Sequence, residues 1–202
     1  MTPPEARPAT RTDLNRIVAI HQQAFVGFFL TELGPRFLRR YYDLVLRSPA
    51  GVLWVVEGED GSPVGFVAGS SDPTAFYAEL RDRKVQFGLA MLPTLLRRPW
   101  SVPRVLTNFR RTGDKEERPP AGVAELTSIG VCPTASGKGY GQALAKAFAA
   151  AVRDRGCQGV YLTTDAHGND RVNDFYQRQG YRLTGTITAH GGRVLNKYLL
   201  DL

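Results

Sequence analysis

The sequence predicts an α/β (α+β) fold in which helices flank both sides of a mixed, mostly antiparallel sheet. Three patterns indicate this fold. A mostly apolar strand at 124–131 runs into a glycine loop and then into a helix with one apolar stripe. Two β-branched runs, at 52–57 and 63–69, are joined by an acid-glycine tract that is typical of a hairpin. Two amphipathic helical segments precede that hairpin.

The composition bounds the class of protein. A length of 202 residues fits one domain, 1–202, that buries a core without disulfides. Two cysteines and no cysteine-histidine cluster give no reason to expect a disulfide scaffold or a metal site. No apolar run approaches the roughly 18 residues of a membrane span, and the N-terminus has no apolar signal core. We therefore expect a cytoplasmic protein, either a monomer or a homodimer.

The elements follow in order along the chain. A short edge strand is expected near 6–9, and Thr12 is the expected cap of the first helix. Its stripe is Leu14, Ile17, Val18, His21 and Phe25, where His21 is read as a packed helix residue. A second helix begins at Gly34-Pro35 and has the stripe Phe37, Tyr41, Leu44 and Val45. After the hairpin and the central strand and helix, further strands are expected at 159–164, 181–187 and 194–200.

The glycine loop between strand and helix has the composition of a phosphate site. Gly137, Gly139 and Gly141 allow close approach of the backbone to a ligand, and Lys138 adds a positive charge. The loop also opens a helix, whose free N–H groups favour an anion. A dinucleotide site is excluded because Gln142 stands where the third glycine belongs, and a Walker A loop because Gly139 follows the lysine.

Two motifs carry a family resemblance. The string from Ser136 to Gly141 resembles the coenzyme A loop of the GCN5-related N-acetyltransferase (GNAT) superfamily, except that Ser136 stands in place of the usual Arg or Gln. The string from Asn169 to Tyr181 is similar to the later signature of that family, with its asparagine, its aromatic-tyrosine pair and its glycine-aromatic pair. The resemblance implies the acyl-CoA N-acyltransferase fold and an acetyl-CoA cosubstrate.

The resemblance also implies a set of site residues. The pantetheine arm would pair with the edge of a splayed strand, where the Val131 N–H would polarise the thioester carbonyl. Tyr176 matches the tyrosine that protonates the departing thiolate and also contacts the coenzyme. The full set of expected coenzyme contacts is Ile129, Gly130, Val131, Ser136, Gly137, Lys138, Gly139, Tyr140, Gly141, Gln142, Asn169 and Tyr176.

The general base is expected to be Glu125. It lies on the central strand, and strict alternation gives it the same face as Thr127, Ile129 and Val131. A partly desolvated carboxylate there can have a pKa raised toward neutrality. Asp165, His167 and a water relay remain alternatives.

The block at about 71–120 is expected to be a helical insertion, since the family has only a short turn there. Two sets of apolar residues recur at helical spacing and predict a helical hairpin or lid: Val85, Leu89, Leu92 and Leu96, and then Val102, Val105, Leu106 and Phe109. Residues 76–118 contain ten lysines and arginines against five acids, within a net charge of +7 for the chain. Arg97, Arg98 and Arg104 fit either an anionic acceptor or a solvated helix face.

These observations predict an enzyme that transfers an acetyl group from acetyl-CoA to a primary amine, without a metal. The sequence does not name the acceptor. It could be an amino sugar, a nucleotide-linked sugar or another small anionic amine, and a peptide N-terminus, a lysine side chain and an antibiotic are also open. One alternative is an acyl-CoA sensor without catalysis. The other is a basic module that binds nucleic acid or an anionic membrane surface. The nucleic-acid version is disfavoured because few aromatic residues interleave with the basic ones.

Overall fold

One seven-stranded sheet runs through the residues that the computed structural model describes, which are 4–97, 120–189 and 192–202. Its strands are β1 (Ala6–Pro8), β2 (Gly51–Glu57), β3 (Pro63–Ser70), β4 (Val123–Val131), β5 (Gly159–Asp165), β6 (Arg182–Thr188) and β7 (Val194–Asp201). Their order is β1-β2-β3-β4-β5-β7-β6, and all neighbours are antiparallel except β4 and β5. The predicted mixed, mostly antiparallel sheet is confirmed.

Helices cover both faces of this sheet. Within the described ranges they are α1 (Leu14–Ala24), α2 (Phe29–Glu32), α3 (Pro35–Arg47), α4 (Pro73–Asp82), α5 (Lys84–Arg97), α6 (Tyr140–Arg153) and α7 (Asp170–Arg178). Adjacent residues of β3 separate two cores. Phe66 packs with Ile17 and Tyr42 on the side of α1 and α3, whereas Val67 packs with Phe148 on the side of α6. The one-turn α2 was not predicted from the sequence.

The central helix α6 lies close to the sheet because two strand positions are glycines. Its predicted stripe is observed, with Leu144, Phe148 and Val152 fully buried. A Cβ at Gly69 would lie 2.6 Å from Cζ of Phe148, and one at Gly65 would lie 3.0 Å from Cδ1 of Leu144. A side chain at Gly69 would also clash with the Glu125 carbonyl, so it would disturb both β4 and α6, whereas one at Gly65 would require the end of the Leu144 side chain to shift.

The insertion begins with α4 and α5, and the first predicted stripe lies on an exposed face of α5 at the three positions whose side chains are described, which exclude Leu96. Val85, Leu89 and Leu92 are 68%, 60% and 46% exposed. The buried face carries Phe87, Ala90 and Met91, with the Phe87 and Phe37 rings 5.3 Å apart. This helix has two apolar faces, and periodicity cannot tell which one meets the core. The second predicted stripe, at Val102, Val105, Leu106 and Phe109, lies outside the described residues.

The cap of the first helix differs from the prediction. A 3-10 turn at Arg11–Asp13 precedes α1, Thr10 caps that turn in a capping box with Asp13, and Asp13 rather than Thr12 is the N-cap of α1. The Asp13 carboxylate accepts hydrogen bonds from the Thr10 N–H at 2.8 Å and from Nη1 of Arg7 at 2.8 Å. Arg7 also donates to Glu57 at 2.6 Å. This cluster joins β1, the start of α1 and the end of β2.

His21 is packed, as expected. It is 2% exposed, and its Nδ1 lies 2.6 Å from the hydroxyl of Tyr42. Burial lowers the pKa of His21 to about 4, so the imidazole is neutral at physiological pH.

Asp13→Asn tests the capping cluster. Hydrogen bonds from Arg7, and then from Thr10, hold the pKa of Asp13 below its usual 3.8. Such a carboxylate stabilises the fold above that pKa, and the contribution disappears as the pH falls through the folded-state value. We expect the variant to lose about 2 kcal/mol of unfolding free energy at pH 7 in urea melts. That difference should narrow as the pH falls below about 4 and through the lowered pKa of the folded state.

The exposed Asp174 on α7 supplies the control, since Asp174→Asn should change little at either pH. An Asp13→Asn deficit that stays constant across the acid range would show that the carboxylate charge is not what stabilises the cluster.

Candidate active site

The two parallel strands at the centre of the sheet separate after a short contact. β4 and β5 pair only from Val123 with Gly159 to Glu125 with Tyr161. Beyond that point β4 continues beside β3 as far as Val131, while β5 pairs with β7 as far as Asp165. The result is a gap in the sheet, with one edge of β4 available to a ligand.

The alternation of the ladder identifies which groups of β4 face this gap. The Cys132 N–H donates to the Val64 carbonyl at 2.7 Å, so Cys132 and, two residues back, Gly130 face β3. Ile129 and Val131 alternate with these two residues along the strand, so their N–H and C=O groups point toward the gap. An extended ligand can pair with such an edge as an added strand does.

A bulge in β4 overturns the predicted alternation of side chains. Ala68 pairs with Ser128 but Gly69 pairs with Leu126, which leaves Thr127 as an extra residue. Glu125 and Thr127 accordingly share the face of α3 and α4, whereas Ile129 packs on the α6 side. The prediction that all four odd-numbered residues share one face is wrong, because the extra residue shifts the alternation by one.

Two tyrosines surround the carboxylate of Glu125. Tyr77 of α4 donates to Oε1 of Glu125 at 3.3 Å, and Tyr41 of α3 donates to Oγ1 of Thr127 at 3.3 Å. Glu125 is half-buried. Burial, together with the Glu125 charge, raises the pKa of Tyr41 to about 12, so Tyr41 stays protonated as a donor. The insertion thus contributes directly to the surroundings of the candidate base, through Tyr77.

The glycine loop has the backbone shape that phosphate binding requires. Gly137 and Gly139 have φ values of +83° and +82°, which side chains other than glycine adopt only with strain. Gly139 caps α6 without a side chain, and the first bond into the helix is from Ala143 N–H to Gly139 C=O, at 3.1 Å. The N–H groups of Tyr140, Gly141 and Gln142 therefore have no acceptor within the helix. A Cβ at Gly137 would meet open space, so a ligand has room there.

Two basic side chains accompany the loop. Nζ of Lys138 lies 3.8 Å from Oε1 of Glu59 on the β2–β3 turn, in a largely exposed pair. Nη2 of Arg171, in the first turn of α7, donates to the Ser136 hydroxyl at 2.7 Å. The sequence does not indicate Arg171 as a site residue, because nothing in the spacing of the two motifs predicts that they are in contact.

Asn169 and Asn173 fasten α7 to the end of β5. Asn169 donates from Nδ2 to the Thr164 hydroxyl at 2.8 Å. Asn173 is buried, and its Nδ2 donates to the carbonyls of Asp165 and Asn169, each at 3.0 Å. Its Oδ1 accepts from Asn196 at 2.9 Å and from the Tyr198 hydroxyl at 3.0 Å. Asn173 was not singled out from the sequence, where it reads as one more polar helix residue.

Tyr176 lies one turn further along α7. Its ring is buried and packs near those of Phe175, Tyr181 and Tyr198. Burial, with a smaller contribution from Tyr181, raises the pKa of Tyr176 well above its usual value of 10. The phenol therefore stays protonated at every physiological pH. Gly180, with a φ of +89°, ends the helix as the sequence predicts.

The two alternative bases are in different surroundings. The Asp165 carboxylate is paired with the Arg193 guanidinium, whose carbon also lies 5.0 Å from the centroid of the Phe28 ring. The hydrogen bond that Arg193 donates to Asp165 raises the pKa of Arg193. His167 is exposed on the loop after β5. Arg193, just before β7, thus connects the end of β5 with the segment between α1 and α2, and Asp165 already has a cationic partner.

Asn173→Leu tests the hydrogen bonds that hold α7 against the end of β5. The substitution removes two donors and one acceptor from a buried network, and we expect a loss of about 3 kcal/mol. For a chain of this size that corresponds to a melting temperature lower by roughly 6–12 °C. Asp174→Leu changes the neighbouring exposed residue and should leave the melting temperature nearly unchanged. Equal shifts in the two variants would remove the special role of Asn173.

Neither a membrane-spanning helix nor a metal-binding cluster is found among the described residues. No helix in the described part of the chain is long and apolar enough to cross a membrane. The same residues contain no group of three or more histidines, cysteines or acids that could hold a metal ion.

One family model matches part of the sequence. The sequence model of the Acetyltransferase (GNAT) family matches residues 102–181, which include β4, α6, β5 and α7. A search of curated proteins returns no match to the sequence.

Solved structures share the fold at low sequence identity. A ribosomal-protein-alanine N-acetyltransferase from Brucella melitensis is 18% identical, with 98% of this chain and 99% of that chain covered and a TM-score of 0.65. A GCN5-related N-acetyltransferase from Kribbella flavida is 17% identical, with 98% of each chain covered and a TM-score of 0.64. An N-acetyltransferase from Staphylococcus aureus Mu50 is 20% identical, with 99% of each chain covered and a TM-score of 0.63. The chain therefore has the acyl-CoA N-acyltransferase fold, and its residues 102–181 are similar to the GNAT family of acetyltransferases.

Proposed function

We propose that the protein transfers an acetyl group from acetyl-CoA to the primary amine of an acceptor, by direct attack of the amine on the thioester. The observation that carries the proposal is the gap between β4 and β5, with the glycine loop at the end of the exposed β4 edge. One ligand that is extended at one end and carries a pyrophosphate at the other fits both features. Acetyl-CoA has that chemistry.

In the proposed reaction the amine nitrogen forms a bond to the thioester carbon and the carbon–sulfur bond breaks. The N–H of Val131 donates to the carbonyl oxygen as negative charge grows on it. Glu125, directly or through a water, takes the proton that the amine loses. Tyr176 donates a hydrogen bond to the departing sulfur. The tyrosine side chain packs with the α6-side core and Glu125 lies beside Tyr77 in the other core, so acid and base approach from opposite faces.

The acceptor enters, in this proposal, on the face where Tyr41, Tyr77 and Thr127 surround Glu125. A carboxylate among neutral hydroxyls favours an amine. The anionic acceptor expected from Arg97, Arg98 and Arg104 remains a hypothesis, since Arg98, Arg104 and the side chain of Arg97 lie outside the described part of the chain. The Brucella protein is named for an alanine of a ribosomal protein, so a peptide N-terminus also belongs among the acceptors to test.

A thiol-release assay with acetyl-CoA and a panel of amines tests the function. The panel holds an amino sugar, a nucleotide-linked amino sugar, a polyamine and a peptide with N-terminal alanine. We expect one class to accelerate coenzyme release well above the hydrolysis seen without an amine. Coenzyme binding with no acceleration by any amine would favour the sensor alternative instead.

The membrane alternative has one observation in its favour. It requires an exposed apolar helix face, and Val85, Leu89 and Leu92 form one on α5, close to Lys84 and Arg83. Sedimentation with vesicles of anionic lipid distinguishes the membrane alternative from the transferase proposal. Binding that disappears in Leu89→Asp, in a protein that turns over no amine, would replace the transferase proposal.

Tyr176→Phe tests the proposed acid. The pKa of the Tyr176 phenol is far above that of the departing thiol, which is near 8.5, so full proton transfer to the thiolate is unfavourable. Tyr176 would therefore stabilise the leaving thiolate by a hydrogen bond. We expect kcat to fall by about tenfold to a thousandfold while the melting temperature changes little, because the ring is retained. Tyr181→Phe is the matched control, since that buried hydroxyl has no hydrogen-bond partner in the described structure. Full turnover by Tyr176→Phe would remove the assignment.

Glu125→Gln tests the proposed base. The amide keeps the shape and can still accept from Tyr77, but it cannot take a proton. We expect kcat/KM at neutral pH to fall by about a hundredfold or more and its acidic limb to flatten. Asp165→Asn is the rival variant and should leave the pH profile in place. If Asp165→Asn flattens the profile and Glu125→Gln does not, the base lies on the loop after β5.

A further inference from the structure

The most informative unassigned contact joins the two signature motifs. Nη2 of Arg171 donates to the hydroxyl of Ser136 at 2.7 Å, across 35 residues of sequence. Ser136 is the first residue of the glycine loop, where the family usually has Arg or Gln, and it is the point at which this sequence departs from the motif. The guanidinium of Arg171 therefore lies beside the residue at which the loop lacks the usual Arg or Gln.

Other contacts bring the same two segments together. The Cβ that Gly141 lacks would lie 3.5 Å from the Phe175 ring, so the first turn of α6 packs directly against α7. Arg171 is on the first turn of α7, where the helix dipole disfavours a cation. Lys138, the basic residue of the loop itself, lies near Glu59. Arg171 has no acidic partner within 4.0 Å in the described part of the chain, and its side chain is exposed to solvent beside the loop.

We propose that Arg171 binds the pyrophosphate of the coenzyme and that Ser136 orients it, so that the second motif supplies the cation missing from the first. A guanidinium suits this role because it presents several donors in one plane, and one of them can remain on Ser136 while others reach phosphate oxygens. The inference rests on the proposed function, since it assigns a residue to the coenzyme site of that function.

The test compares calorimetric titrations of the parent and Arg171→Gln with coenzyme A and with dephospho-coenzyme A. The second ligand retains the pyrophosphate and lacks the 3′-phosphate. We expect the variant to lose about tenfold or more in affinity for both ligands, as for the loss of a hydrogen bond to a charged group. The loss should shrink at high salt, because Arg171 is exposed. Arg178→Gln, at the other end of α7, is the control and should bind as the parent does.

A rescue variant separates a direct contact from a structural role. Ser136→Arg restores the usual family residue, and in the Arg171→Gln background it should recover most of the lost affinity. Melting temperatures of all variants, measured without ligand, should stay close to that of the parent.

The outcomes are distinct. Unchanged affinity of Arg171→Gln for both ligands overturns the inference and leaves the proposed function standing. A loss confined to coenzyme A also overturns it, because Arg171 would then contact the 3′-phosphate. If Ser136→Arg fails to restore coenzyme affinity in the Arg171→Gln background, Arg171 does not take the place of the usual residue at position 136. Absence of binding by the parent itself overturns the proposed function as well.

Discussion

The early separation of β4 from β5 is the constraint on which the rest of the site depends. Parallel pairing ends at Glu125 and Tyr161, and the backbone of Ile129 and Val131 is left facing a gap. Unpaired backbone groups are costly when they are buried without a partner, so such an edge favours a ligand that completes it. The bulge at Thr127 lies within the same stretch and turns Glu125 toward α3 and α4.

The second motif holds the other wall of the gap in place. Asn173 uses both amide donors on the carbonyls of Asp165 and Asn169, and its oxygen accepts from Asn196 and Tyr198. A fully satisfied buried amide fixes one geometry, because each alternative leaves a buried group unpaired. Tyr176 follows on the same helix, so its place depends on that network. The arrangement separates a positioning residue, Asn173, from the residues that would meet the ligand.

The sequence predicted the order of the elements well, because periodicity and glycine placement are local signals. Strand alternation failed at β4, since a bulge is set by pairing with Gly69 of another strand. The sequence does not indicate which face of α5 is buried, because Phe87 and Leu89 are equally apolar and only packing against the ring of Phe37 decides which one is buried. Tyr77, Arg171 and Asn173 were missed for the same reason, since their relevance lies in contacts with distant segments.

The most direct measurement is a calorimetric titration of the purified protein with acetyl-CoA, alongside a Gly139→Glu, Gly141→Glu variant. The account predicts micromolar binding by the parent and its loss in the variant, because both substitutions place carboxylates where the loop would meet a pyrophosphate. Circular dichroism of the variant shows whether it still folds. No binding by the parent, or equal binding by a folded variant, would contradict a coenzyme site at the glycine loop.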